Sequence, residues 1–227
     1  MTQFLLALGA FLLAHAVPPL PAVRGRLVVL LGRRAYLILY SALSLVLLAW
    51  LISAASRAPR IALWYAEPWQ AAIPLIAMPV AFWLLIAGLA EASSLSVSIR
   101  SPNPSTGPGP VASVTRHPVL WGFLIWSVAH IPPTGHVVAL ILFGGMGLLS
   151  LSGMFALDRR AQKRLGKERW KALAAEAPLI PFAGLMRNAG RLAEIKVWPV
   201  AMAALVYLWF LLDGHQRLIG PDPLAWF

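Results

Sequence analysis

The chain has 227 residues; 59% of them are hydrophobic and only 12% are charged, with a formal net charge of +11 and a mean hydropathy of +0.75. A soluble domain is about half apolar and about a quarter charged. This composition therefore excludes a water-soluble globule, and it excludes a disordered chain for the same reason. We expect residues 1–227 to form a single all-α polytopic membrane domain, a helical bundle in a lipid bilayer.

Six apolar segments are predicted to be membrane helices. In chain order they are residues 4–20, 35–55, 69–90, 118–131, 137–157 and 197–212. The first is too long, and too uncharged at its start, for a cleaved signal peptide. The fourth would be only about 21 Å long as a helix, against a hydrocarbon core about 30 Å thick. We therefore expect residues 118–157 to form a short helical hairpin packed inside the protein, with residues 132–135 turning the chain back.

Two connecting stretches have a composition of their own. Residues 101–110 are rich in proline and glycine, which is typical of turns and excludes a helix there. Residues 158–196 are basic and begin with a helix-favouring run. We expect them to form a cytoplasmic amphipathic stretch along the membrane surface.

The basic residues follow the positive-inside pattern of membrane proteins. If the N-terminus is periplasmic, 16 of the 19 Lys and Arg residues fall in cytoplasmic connections, with Arg24 and Arg26 in the first of these. Only Arg57, Arg60 and Arg217 fall outside. This distribution predicts a multi-pass protein of a bacterial inner (cytoplasmic) membrane. Anionic lipid headgroups are sufficient partners for these charges, so no nucleic acid is expected.

Two of the five histidines, His15 and His130, fall inside apolar segments. An ionisable side chain there is costly and suggests function, although a neutral histidine bonded to a carbonyl is the simpler alternative. Burial keeps an imidazole neutral, and a neutral imidazole is a good ligand for heme iron. Phe11 and Trp126 stand one turn before the two histidines and would offer apolar surface to a flat macrocycle. His215, like His136, falls in a predicted loop and is expected to be solvated.

The absence of cysteine narrows the metal chemistry. With no cysteine in the chain, disulfides, iron–sulfur clusters, metal–thiolate sites and covalently attached c-type heme are excluded. A bound metal would need histidine, carboxylate, methionine or tyrosine. There is also no phosphate-binding loop, dinucleotide fingerprint or nucleophile elbow, so hydrolases and NTPases have no support.

The segment Thr115-Arg116-His117-Pro118 is the most specific local motif. Arg116 and His117 would stand at the cytoplasmic foot of the short helix, with Pro118 in its first turn. Two donors there could hold a phosphate, a carboxylate or a nucleoside, and the alternative is an interfacial anchor pair. Asp158, which is followed by two arginines, is expected either to pair with Arg116 or to bind a ligand.

The chain carries a set of motif residues in a defined order. They are His15, residues 32–36, 40–41, 43–44 and 115–118, Gly122, Trp126, Ala129, His130, residues 158–160, Gly166 and residues 180–182. From about residue 4 to residue 187 the chain resembles the NnrU family of bacterial membrane proteins, and it is similar to the related 15-cis-zeta-carotene isomerases. The resemblance implies a protein that supports nitrite and nitric oxide reductase activity in denitrification, or a heme-dependent carotenoid isomerase.

The resemblance also implies a cofactor. The isomerase relative binds heme b between two histidines that match His15 and His130, which makes these two the expected metal ligands here. Ser127 stands where that relative has a cysteine implicated in ligand change. Arg116 and His117 are expected to contact a heme propionate or a second ligand. A hydrophobic small molecule or a reductase under assembly is the expected partner.

A more distant likeness carries a second class of function. The Arg-His-Pro segment, the helical hairpin and the run Leu-Gly-Lys-Glu-Arg-Trp at residues 165–170 are similar to isoprenylcysteine-type membrane methyltransferases. In those enzymes the Arg-His-Pro region holds S-adenosylmethionine, which implies cofactor binding by Arg116 and His117. Residues 158–160 depart from that family, because an Asp-Arg-Arg run stands where those enzymes favour a pair of glutamates. A non-catalytic assembly factor is the third alternative.

Overall fold

The computed structural model describes residues 1–100, 107–183 and 190–227. Its α-helices are α1 Thr2–Ala16, α2 Pro21–Leu31, α3 Arg33–Ser56, α4 Pro68–Ala90, α5 Pro110–Val114, α6 Pro118–Thr134, α7 Val137–Leu165, α8 Lys167–Glu176, α9 Val197–Trp209 and α10 His215–Leu218. A π-helical turn, Phe210–Gly214, joins α9 to α10. The described residues contain no β-strand beyond an isolated bridge between Ala62 and His136. The all-α prediction is confirmed.

Several of these helices can cross a membrane. Among the described residues, α3, α4, α7 and the continuous run Val197–Leu218 are long and apolar enough, and α1 with α2 forms a fifth candidate that is bent by 81°. Helix α6, at 17 residues, is the short helix expected from the sequence. The protein is therefore a multi-pass membrane bundle, as the composition predicted.

A short turn at residues 17–20, which contains Pro18 and Pro19, separates α1 from α2 and bends the chain by 81°. Helix α1 stops at Ala16, and Pro21 occupies the first turn of α2, where a missing N–H costs nothing. Arg24 and Arg26, which the sequence assigned to the first connection, lie on α2.

The hairpin turn also lies later than predicted. Helix α6 continues through Pro132 and Pro133, and Thr134 Oγ1 donates to the carbonyls of His130 and Ile131 at 2.9 and 3.0 Å. These bonds serve carbonyls of the last turn, where helical donors run out. The helix ends at Thr134 and is followed by Gly135, whose φ of +58° suits a residue without a side chain.

The chain folds into two compact units. The first comprises residues 1–64 and 135–142, and in it α1 and α2 both pack against α3. The second comprises residues 65–134 and 143–227, and in it α4 packs against α6 and α9. Small residues permit the close approach of α4 and α6: a Cβ on Gly122 would lie 2.9 Å from the Ala81 carbonyl oxygen.

The basic stretch predicted for residues 158–196 begins inside a helix. Helix α7 runs on to Leu165, so the first residues of that stretch continue the apolar helix. Gly166, with φ +83°, then breaks the helix before α8. The part of the prediction that concerns residues 184–189 lies outside the described residues, and so does that part of the 101–110 turn prediction that concerns residues 101–106.

Candidate functional site

His15 lies half-buried in the last turn of α1, in the first unit. Its Nδ1 is 2.8 Å from the carbonyl oxygen of Phe11. Because a carbonyl only accepts, Nδ1 carries the proton of this hydrogen bond. The Phe11 ring stacks on the imidazole at 4.1 Å between centroids, and the Tyr40 ring lies at 5.9 Å. The His15 ring is thus held by its Nδ1 bond and by the Phe11 ring, and Nε2 is the nitrogen left for another contact.

His130 has the same arrangement in α6 of the second unit. It is half-buried, and its Nδ1 is 2.8 Å from the carbonyl oxygen of Trp126. The rings of Phe143 and Trp126 lie at 5.2 and 5.8 Å from the imidazole centroid. Within residues 1–100, 107–183 and 190–227, Nε2 of neither His15 nor His130 has a hydrogen-bond partner. Both predicted ligands therefore present the nitrogen that a metal would take.

Sequence reasoning missed His215. This residue was expected to be solvated, but it is half-buried, and its ring lies 6.4 Å from that of His130 with 15° between the two planes. Its Nδ1 is 2.8 Å from the carbonyl oxygen of Pro221. The π-turn directly before it was the missing information, because one extra residue per turn changes the direction of every later side chain.

Arg116, His117 and Asp158 form a buried network in the second unit. Arg116 Nε lies 3.0 Å from both carboxylate oxygens, and its Nη2 lies 2.6 Å from Asp158 Oδ2. His117 Nε2 donates to Asp158 Oδ1 at 3.0 Å. The His117 side chain is fully buried, and the other two side chains are 11% and 12% exposed. The predicted pairing of Asp158 with Arg116 is confirmed.

The same motif binds the chain that follows α8. The Arg116 N–H donates to the carbonyl of Pro178 at 2.9 Å, while Thr115 Oγ1 and Trp121 Nε1 both donate to the carbonyl of Leu179 at 2.8 Å. Arg116 Nη1 also donates to Ala177 at 3.3 Å. Much of the hydrogen bonding of this motif is therefore used inside the protein. Nδ1 of the buried His117 has no partner among the described residues.

The described residues contain no group of three or more His, Asp or Glu side chains placed to hold a metal ion. A structural zinc ion needs four protein ligands and a catalytic one usually three. A metal held by one or two of these imidazoles would therefore bring further ligands of its own, as iron in a porphyrin does.

Comparisons with known proteins extend this description. The family model described as NnrU protein matches residues 3–223. The chloroplastic 15-cis-zeta-carotene isomerase of Arabidopsis thaliana is 31% identical over 84 residues, which cover 37% of this chain and 23% of that protein. The chain thus aligns with less than a quarter of the length of that relative. No solved structure matches the chain.

Proposed function

This chain belongs to the NnrU family, and we propose that it holds one heme b through His15 and His130. The observation that carries the proposal is the shared preparation of the two imidazoles: each donates Nδ1–H to the carbonyl four residues earlier, and each leaves Nε2 free. Metal-ligating histidines have this arrangement, because the bond to the other nitrogen fixes the tautomer and the ring orientation. When bound, the heme would supply iron for electron transfer or for binding a small ligand.

We further propose that the protein supports nitrite and nitric oxide reductase activity in denitrification, as the resemblance to the NnrU family implies. A heme-dependent cis-trans carotenoid isomerase is the second candidate, and the local similarity to the plant isomerase favours it. Ser127 argues against an isomerase that depends on a cysteine ligand. It is fully buried, and its Oγ donates to the Phe123 carbonyl at 2.8 Å within α6, so it supplies no thiolate.

Arg116 and His117 enter the proposal as a further cofactor contact. The Arg116 guanidinium has five N–H groups. Its hydrogen bonds to Asp158 and to the Ala177 carbonyl use only some of these donors. The remaining donors would suit a heme propionate. The methyltransferase alternative depends on the same two residues, and they are already bound to Asp158 and to the chain after α8.

The proposal includes an orientation in the bacterial inner membrane. The N-terminus would be periplasmic and the basic connections cytoplasmic, because that orientation places 16 of 19 basic residues on the cytoplasmic side. A hydrophobic small molecule would reach the protein from the bilayer, and a reductase under assembly would meet it at the membrane.

An absorption spectrum of the purified protein tests the heme proposal. We expect a Soret band after expression with a heme precursor, and about a tenfold lower heme content in the double variant His15→Ala/His130→Ala. His136→Asn is the matched control, because His136 lies outside the proposed ligand pair and asparagine also suits a helix N-cap. A colourless wild-type protein with intact helical circular dichroism would overturn the proposal.

The two candidate roles are separated by activity in cells. In the denitrification role, deletion of the gene lowers nitrite and nitric oxide reduction, and the His130→Ala protein does not restore it. In the isomerase role, expression of the protein in cells that contain 15-cis-zeta-carotene lowers the amount of that isomer. The reductase activities then do not depend on the gene.

A further inference from the structure

We propose that His215 is a second axial partner for the same iron, competing with His15 for the position opposite His130. The inference rests on the proposed heme and adds a ligand that family membership does not imply. It depends on four observations in the second unit: the spacing of His130 and His215, the way the His215 ring is held, the π-helical turn before it, and the lack of a third protein ligand among the described residues.

The spacing of the two rings fits one metal between them. An imidazole nitrogen binds a metal at about 2.0–2.1 Å, so two imidazoles whose Nε2 atoms face one ion from opposite sides have ring centroids about 6.3 Å apart. The His130 and His215 centroids are 6.4 Å apart. Their planes differ by 15°, so both rings can meet a perpendicular plane of equatorial ligands without rotating against each other.

His215 is held in the manner of His130. Its Nδ1 donates to the Pro221 carbonyl at 2.8 Å, as Nδ1 of His130 does to Trp126, so in both rings Nε2 is the nitrogen left for a metal. A solvated loop histidine would not need such a bond. Two half-buried imidazoles side by side, each with Nδ1 bonded to a carbonyl, have two Nε2 atoms with which to bind one metal ion.

The backbone before His215 is adapted to this position. π-helical turns are rare and occur frequently at functional sites, and Phe210–Gly214 forms one directly before His215. Gly214 permits it, because a Cβ there would lie 2.9 Å from the Trp209 indole. The preceding helix is anchored on α4, since Tyr207 Oη donates to the Leu75 carbonyl at 3.0 Å.

The number of protein ligands favours a metal that arrives with ligands of its own. No third His, Asp or Glu joins this pair within the described part of the chain, so a bare zinc ion would lack the three or four protein ligands it takes. A metalloporphyrin supplies four nitrogens and asks the protein only for axial ligands. His130 therefore has one candidate partner in the first unit, His15, and one in the second, His215.

The spin state of the bound iron tests the inference, since two axial imidazoles give six-coordinate low-spin heme and one gives a five-coordinate high-spin form. Hemin is titrated into wild type, His15→Ala, His215→Ala and the double variant, and absorption and electron paramagnetic resonance spectra are recorded. We expect the wild type and both single variants to be low-spin and the double variant to be high-spin. His136→Asn is the control and keeps the wild-type spectrum.

Three outcomes would count against specific parts of this scheme. If His15→Ala is already as high-spin as the double variant, the role of His215 is overturned and the proposed pair of His15 and His130 stands. If no hemin binds to the wild type, the heme proposal and this inference both fail. If His215→Ala alone is high-spin, His215 is a ligand but His15 is not, which removes His15 from the proposed pair.

A further variant and a rescue experiment distinguish the loss of a ligand from misfolding. His215→Gln keeps an N–H donor for the Pro221 carbonyl but offers no imidazole, so it should behave as His215→Ala in the His15→Ala background. Added free imidazole should return the double variant to the low-spin form, because it can fill the vacated position in a folded site. A double variant that stays high-spin with saturating imidazole overturns the assignment of an open axial position.

Discussion

At the scale of single residues, the carboxylate of Asp158 is the group whose loss we expect to lower stability most. It accepts hydrogen bonds from both Arg116 and His117, and the side chains of all three residues are almost fully buried. Removing one partner of a buried ion pair leaves the other charge uncompensated, which costs about 3–5 kcal/mol. We expect Asp158→Asn to lower the unfolding free energy in detergent by about this amount, because the amide cannot neutralise Arg116.

A neighbouring ion pair provides the control for Asp158. Lys171 and Glu168 lie 3.3 Å apart, but their side chains are 54% and 85% exposed, and such surface pairs contribute little. Glu168→Gln should leave the unfolding transition nearly unchanged. Equal small effects of the two substitutions would mean that the Arg116–Asp158–His117 network does not stabilise the fold as a buried ion pair would.

The cap that His136 provides at the start of α7 is expected to depend on pH. Its Nδ1 accepts from the Ala139 N–H at 3.1 Å, so it caps the start of α7 in the neutral form. Burial, and to a lesser extent Arg60, lower the pKa of His136 below 6.5. A depressed pKa contributes stability that is present above the unfolded value and is lost as the pH falls through the folded one.

We therefore expect the amide hydrogen of Ala139 to exchange faster, relative to its intrinsic rate, as the pH falls below about 6.5. Hydrogen exchange followed by mass spectrometry measures this. His136→Asn caps the helix without titrating, so its protection at Ala139 should not change over the same range. Protection that falls equally in both proteins would assign the effect to another group.

Individual site residues could be predicted where the residue type and its surrounding sequence were enough to identify them. They could not be predicted where the position of the side chain depends on the three-dimensional fold. Asp158 beside two arginines could be matched to Arg116, because a buried carboxylate requires a cation. His15 and His130 stood out because their segments are apolar. His215 could not be identified, since the π-turn that places it follows from the packing of Gly214 against Trp209 and has no local sequence pattern.

At the scale of elements, the junction between α6 and α7 depends on Gly135. Its φ of +58° lies in the left-handed region, and a Cβ there would be 2.3 Å from the Trp64 carbonyl oxygen. That oxygen belongs to backbone, and the Gly135 carbonyl in turn accepts from Leu63 and Trp64 N–H groups. The left-handed conformation alone costs a non-glycine residue about 1–2 kcal/mol.

We expect Gly135→Ala to lower thermal stability in detergent by several degrees, since about 1 kcal/mol shifts the midpoint of a domain of this size by about 2–4 °C. Gly144→Ala in α7 is the matched control: nothing lies within 4 Å of its Cβ position, and its backbone is helical. Alanine should be neutral or slightly stabilising there. A Gly135→Ala protein as stable as the control would contradict the close approach to Trp64.

The helices themselves were largely predictable, and their ends were not. Apolar runs of sufficient length identified α3, α4 and α7 because lipid requires backbone hydrogen bonds to be made within a helix. The errors occurred at prolines and charges. Proline fits the first turn of α2 and the last turn of α6, and α7 carries its charged residues beyond the apolar run, so neither residue type marked a helix end.

At the scale of the whole molecule, the charge asymmetry predicts one orientation in the membrane. The chain has no cysteine, so a single introduced cysteine is a unique label. We choose Ser56, exposed at the end of α3, and Glu168, exposed on α8. The positive-inside rule places the first on the periplasmic side and the second in the cytoplasm.

Ser56→Cys should react with a membrane-impermeant maleimide in intact spheroplasts, and Glu168→Cys should react only after permeabilisation, because the bilayer separates the reagent from the basic side. Both variants must react fully in detergent, which controls for local access. If the labelling pattern is reversed, the basic residues face the periplasm, and attraction to anionic cytoplasmic headgroups does not set the topology. If both react from outside, α8 and the end of α3 lie on the same side, which requires an even number of crossings between residues 56 and 168 in place of the three expected from the sequence.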